Sequence, residues 1–176
     1  MAHVQKRSPG KYRVRYRDPD NKERSRTFKK KSDADRFAAS VETDMARGTW
    51  VSPDRGRQLF SEYAAIWLST LDCKPKTRAG YESILERWIM PTFGNRPVEK
   101  ISWSTIESFK AEMSNAGRSP QTVKNALNVL RPILDLAVRD CALVVSPARD
   151  VKSPKVTASS VAKFESAEVI AALAAT

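Results

Sequence analysis

Between Lys11 and Arg17 the chain reads Lys-Tyr-Arg-Val-Arg-Tyr-Arg, with a guanidinium at every second position. Alternate residues of a β-strand leave opposite faces, so Arg13, Arg15 and Arg17 line one side while Tyr12, Val14 and Tyr16 line the other. Arginine forks match phosphates and the acceptor edge of guanine. The bland reading of the same pattern is an edge strand whose charges only prevent unwanted pairing. Charge density weighs against it: residues 1–31 hold 12 Lys or Arg and 3 acids, most of the net +11 of the whole chain. Such a field attracts nucleic acid or an anionic membrane, and geometry must choose. A narrow sheet with a cationic face fits a DNA major groove, with Lys11, Arg24 and Arg26 joining the three arginines as candidate contacts.

Few other side chains suggest chemistry. The one histidine, His3, has no acid-base or metal-ligating partner near it in sequence. Cys73 and Cys141 stand alone, without the paired spacing of a zinc site or a disulfide framework. The His and acidic cluster of a metal-dependent nuclease is missing, so the sequence implies neither metal nor cofactor. No apolar run approaches the roughly 18 residues of a membrane span, and the charged start lacks the apolar core of a secretory signal. This points to a soluble intracellular protein without a membrane partner.

Turn chemistry sets the elements that must carry these residues. Ser8-Pro9-Gly10 and Asp18-Pro19-Asp20-Asn21 bracket the arginine strand, which predicts a three-stranded antiparallel sheet over roughly Val4 to Arg7, Lys11 to Arg17 and Lys22 to Lys29. A helix follows, with Ser32 as its N-cap, Ala34, Phe37, Ala38, Val41 and Met45 on one face, and Gly48 as its stop. It is expected to cover the Tyr12/Val14/Tyr16 side and leave the arginine side open. Residues 49–58, with Pro53 and Gly56, read as a linker in which Trp50 can dock on either side.

From Leu59 the pattern is helical. Phe60, Ala64, Trp67 and Leu71 form one stripe, broken at Lys74-Pro75-Lys76. A second helix is predicted from about Thr77 to Met90, closed by Pro91 and Gly94. Tyr81, Ile84, Leu85 and Trp88 face its core, and small or cationic side chains (Thr77, Gly80, Ser83, Arg87, with Lys76 and Arg78 nearby) face outward. A third helix is predicted from the capping box Ser104-Thr105-Ile106-Glu107 to Gly117. The longest opens with Ser119 as N-cap and Pro120 at the first position. It buries Val123, Ala126, Leu127, Leu130, Ile133, Leu134, Ala137 and Val138, with Pro132 expected to bend it. Gln121, Lys124, Asn125, Asn128 and Arg131 stay outside. They form either an ordinary solvated face or, with Ser119 and Thr122 at the helix's positive end, a surface for phosphates and adenine edges. Residues 151–176 read as a second linker and the start of a further helix, Phe164 to Leu173.

This order of elements resembles the N-terminal half of phage-type tyrosine recombinases, the integrases. The resemblance rests on Gly10-Lys11-Tyr12-Arg13-Val14-Arg15-Tyr16-Arg17-Asp18 through Ala38. In the second half it rests on Phe60-Ser61-Glu62-Tyr63, Thr77-x-x-x-Tyr81, Ile89-x-Pro91-x-Phe93-Gly94, Ser119-Pro120-x-Thr122-Val123 and Ala137. It implies an α+β fold: an arm-type DNA-binding domain (residues 1–48) with a small three-stranded sheet and one helix, then an all-α four-helix, SAM-like core-binding domain (residues 59–150). It also implies a catalytic domain that this chain lacks, since neither a His-x-x-Arg motif nor a tyrosine free of a packing role is found; the chain is then a truncation and not itself an enzyme. The implied partners are double-stranded DNA at arm and core attachment sites, further integrase protomers in a tetramer, a host DNA-bending protein and a directionality factor. The implied place is the bacterial cytoplasm, at the nucleoid. Bending DNA over a short interval costs several kcal/mol, which is why a bending protein is expected. A short linker between two grips raises avidity by about a hundredfold or more. The rival reading is a complete, non-enzymatic architectural or repressor protein.

Overall fold

The computed structural model describes residues 2–156. Three strands come first, β1 (His3–Ser8), β2 (Lys11–Arg17) and β3 (Glu23–Phe28), forming an antiparallel sheet in the order β1-β2-β3. The β2–β3 turn is tied at its base by Asp18, whose backbone N–H donates to the Lys22 carbonyl at 2.9 Å and whose carboxylate accepts the Lys22 N–H at 2.8 Å. Asn21 takes the left-handed conformation there (φ 62°), which Asn tolerates better than most residues.

Helix α1 (Lys31–Ala46) lies across one face of the sheet. Val14 from β2 and Ala34 and Ala38 from α1 are buried together, and Phe37 stacks against Phe28 at 5.1 Å between ring centroids. Ser32 is not the cap: the helix begins at Lys31 with Lys30 in the cap position and no side-chain cap bond. The connection from β3 is so short that Ser32 already lies in the first turn. Gly48, at φ 68°, stops the helix as the sequence predicted.

The second half is helical. Its elements are α2 (Phe60–Thr70), α3 (Pro75–Ile84), α4 (Met90–Phe93), α5 (Trp103–Asn115) and α6 (Pro120–Arg139). A widened turn, Leu85–Ile89, joins α3 to α4, so four helical segments surround one apolar core. The expected α+β class, small sheet followed by helical bundle, is the observed one. Three boundaries differ. The helical stripe breaks before Pro75 as expected, but α3 starts at Pro75 itself and not at Thr77, because a proline has no N–H to leave unpaired at a first helical position. Pro91 lies inside the helical path and does not end it. In the widened turn the Met90 N–H reaches back five residues to Leu85, a slack that accommodates a proline ring. The cap of α5 is Ser102, whose Oγ accepts the Thr105 N–H at 3.3 Å, and not Ser104.

Helix α6 is the spine of this half. Ser119 caps it, accepting the Thr122 N–H at 3.2 Å, with Pro120 at its first position. Val123, Ala126, Leu127, Leu130, Ile133, Leu134 and Ala137 are buried as the periodicity predicts, and Val129 is buried with them. Each buried Val, Leu or Ile here contributes about 1.5–3 kcal/mol of transfer free energy. Among the described residues no helix is long and apolar enough to cross a membrane. The helix expected over Phe164 to Leu173 lies outside the described residues.

Candidate nucleic-acid interface

Strand register decides which cations share a surface. Opposite residues in an antiparallel pair project from the same face, and the pairs Tyr12↔Phe28, Val14↔Arg26 and Tyr16↔Arg24 belong to the face that α1 covers. The open face is built from Arg13↔Thr27, Arg15↔Ser25 and Arg17↔Glu23, with His3 and Gln5 of β1 opposite Arg15 and Arg13. Arg13, Arg15 and Arg17 therefore stand together, uncovered by the helix, and Lys11 is exposed at the end of the same row.

Arg24 and Arg26 project from the other face, so the six expected contacts do not form one surface. Arg24 is mostly buried and donates to Asp18 at 2.9 Å while also pairing with Asp54. Arg26 lies over the rings of Phe28 and Phe37, at 5.4 and 5.1 Å from their centroids. Arg24 thus ties the sheet to the segment after α1, while Arg26 remains exposed beside the rings it covers. Asp18, only 5% exposed, is pushed up by burial. Hydrogen bonds from Arg24 and the Lys22 backbone outweigh that and hold its carboxyl below the usual range.

The open-face arginines are each oriented locally. Arg13 Nη2 donates to Ser25 Oγ at 2.9 Å, Arg17 Nη1 to the Asn21 carbonyl at 3.1 Å, and Arg15 pairs with Glu23. These contacts are solvent-exposed, so exchanging them for phosphate costs little.

In the helical half, the outward row of α3 and the outer face of α6 meet. A groove of about 540 Å³ runs between them, walled by Thr77 and Gly80 on one side and Asn125 and Asn128 on the other. Its floor includes Trp67 and Tyr81, whose rings pack 5.4 Å apart. Lys76, Thr77, Ser83 and Arg87 are exposed, while Arg78 pairs with Glu82 one turn on, at 3.1 Å. On α6, Gln121 donates to Asn125 at 2.7 Å and Lys124 is half-buried. Ser119 and Thr122 are engaged in the cap itself, their hydroxyls 2.9 Å apart.

Arg131 does not stay outside as expected. Its Nη2 donates to the Val151 carbonyl at 2.7 Å and to Ser153 Oγ at 3.1 Å, because the chain after α6 folds back within its reach. The sequence reading also missed Arg118, exposed just ahead of α6 and lying over Trp88 at 4.6 Å. Its adjacency to the Ser119-Pro120 cap was the only signal.

The residues between the halves form a docked joint. Trp50 is buried against Tyr16 and Val41, the Ser52 N–H donates to the Cys141 carbonyl at 2.7 Å, and Gly56 lies in a short turn, Arg55–Arg57. The Tyr63 hydroxyl is shared between Asp140 at 3.0 Å and Gln58 at 2.9 Å. Burial, and after it the Asp140 carboxylate, pushes the Tyr63 phenol far up; burial also raises Tyr16. Tyr12 and Tyr81 pack against the two cores. Among the described residues no three His, Cys, Asp or Glu side chains gather as a metal site.

Residues 59–114 match the sequence profile of the phage integrase N-terminal SAM-like domain. Over most of its length the chain is similar in sequence to phage integrases. It is 26% identical over 156 residues to a prophage phiRv2 integrase of Mycobacterium tuberculosis, covering 85% of this chain and 41% of the relative. It is 28% identical over 130 residues to the integrase of Mycobacterium phage L5, covering 70% and 34%. The chain thus spans less than half the length of these relatives. In fold, part of the chain is similar to an integrase-like domain from Bacillus cereus. That likeness has TM-score 0.56 and 20% identity, covering 60% of this chain and 91% of the other. A lambda integrase dimer bound to a COC' core site matches 88% of this chain and 45% of its own, with TM-score 0.54 and 17% identity.

Proposed function

We propose that this chain grips duplex DNA at two places as the N-terminal part of a site-specific tyrosine recombinase, the sheet on arm-type sites and the SAM-like domain on core-type sites. The observation that carries the reading is the row Arg13, Arg15 and Arg17, left uncovered by α1 on a sheet narrow enough for a major groove. On the helical domain, Lys76, Thr77, Ser83, Arg87, Gln121, Lys124, Asn125 and Asn128 frame the second grip around the α3/α6 groove. The docked joint then holds the two grips in one arrangement, so that one protein bridges two DNA segments.

Strand cleavage is assigned to a domain other than the two described. None of the four tyrosines serves as the nucleophile in this reading: Tyr16 and Tyr63 are buried, the Tyr63 hydroxyl being held by Gln58 and Asp140, and Tyr12 and Tyr81 pack against the cores. In this reading the working assembly, on attachment-site DNA in a bacterial cytoplasm, includes further protomers, a DNA-bending protein and a directionality factor.

The test is a duplex-binding titration over a range of salt, on wild type and on the triple variant Arg13→Ala, Arg15→Ala, Arg17→Ala. The slope of log K against log salt is expected to fall by about 0.9 for each phosphate that is no longer neutralised. An unchanged slope in a folded triple variant means that the sheet meets something else.

A further inference from the structure

The open sheet face carries one acid among its described residues. Glu23 lies opposite Arg17 in the β2–β3 register and accepts from Arg15 through both Nε and Nη2. A carboxylate on a surface meant for phosphates weakens the attraction. It adds little stability either, since Arg15 and Glu23 are 47% and 46% exposed. Neither electrostatic attraction nor folding accounts for Glu23 at this position.

The geometry of the pair does. Both contacts go to the one oxygen Oε1 and lie on the Nε/Nη2 side of the guanidinium, so the carboxylate directs Arg15 from its side edge while Nη1 and the outer N–H of Nη2 point away from it. Arg13 spends Nη2 on Ser25, and Arg17 spends Nη1 on the Asn21 backbone. Arg15 is therefore the one arginine of the row held by a carboxylate from its Nε side, which aims Nη1 and the outer N–H of Nη2, the edge that pairs with O6 and N7 of guanine, away from the sheet.

We propose that Glu23 is a positioning residue that holds Arg15 as a guanine reader, so that this pair sets base specificity while Arg13 and Arg17 supply phosphate attraction. The inference rests on the DNA-binding reading above.

The test uses the full chain and a pool of duplexes with a randomised centre. Wild type is expected to select a motif with guanine at one position, and to lose roughly tenfold or more in affinity when that base pair alone is exchanged. Glu23→Ala is expected to lose most of this preference while binding the unselected pool as tightly or more tightly. In an Arg15→Ala background, Glu23→Ala should change nothing further at that position, a coupling that a merely structural role would not produce. Should Glu23→Ala fail to fold by circular dichroism, the near-isosteric Glu23→Gln carries the test, with the preference reduced. A preference unaltered in the folded Glu23 variant, or pool and motif affinities falling together, overturns the role of Glu23 alone. Wild type failing to bind the pool at all overturns the DNA-binding reading and this inference with it.

Discussion

Arg55 Nη1 stands 2.9 Å from Asp140 Oδ1 while Nη2 of the same guanidinium reaches Asp20 Oδ2 at 2.6 Å. Asp20 belongs to the β2–β3 turn and Asp140 follows the last turn of α6, so one side chain ties both halves to the segment between them. With Asp54 on Arg24 and Trp50 packed against Tyr16, the joint has both polar and apolar anchors.

Removing the polar anchor should loosen the joint without melting either half. Each of these partly exposed pairs contributes at most about 1 kcal/mol, so Arg55→Ala is expected to lower stability only slightly. The same variant should expose Trp50, which is 7% accessible in the folded chain, to chymotrypsin severalfold faster than in wild type. A cleavage rate equal to wild type would show that the Trp50 packing holds the joint alone.

Acid should act first on the sheet. The Asp18 carboxyl is held below its ordinary value in the folded chain, so it contributes stability above about pH 4 that is lost as pH falls through the folded value. Thermal melts from neutral pH to about pH 3 are expected to show a falling midpoint. Asp18→Asn should have a lower midpoint at neutral pH and a flatter acid dependence. A parallel decline in both proteins would remove Asp18 from the account.

Arg131 and Arg87 should separate structural from DNA-facing cations in the helical half. Arg131→Ala gives up two hydrogen bonds to the segment after α6, a loss of about 1–3 kcal/mol, and should leave the salt slope of DNA binding alone. Arg87→Ala, at an exposed site, should barely shift the melt but lower that slope by about 0.9. Interchanged behaviour would contradict the roles given to both residues.

Local chemistry determined much of this protein from sequence alone. The alternation Lys11 to Arg17 made a strand with one arginine face, Gly48 ended α1, and Ser119-Pro120 opened α6 above a stripe of buried apolar residues, because strand period, left-handed caps and N-terminal capping each depend on a few neighbouring residues. Which cations share a surface was not local. Arg24 and Arg26 alternate in β3 as regularly as Arg13 and Arg15 do in β2. Only the pairing of Tyr16 with Arg24 puts them on the covered face, and a register one residue away would have turned them out. The same holds for Arg131, drawn inward by a backbone segment twenty residues on, and for Trp50 and Arg55, whose partners Tyr16, Asp20 and Asp140 come from both halves. Side-chain type and spacing decide what a residue can bond to, but the partner it meets is set by packing between segments distant in the chain, and that was decided only by the tertiary structure.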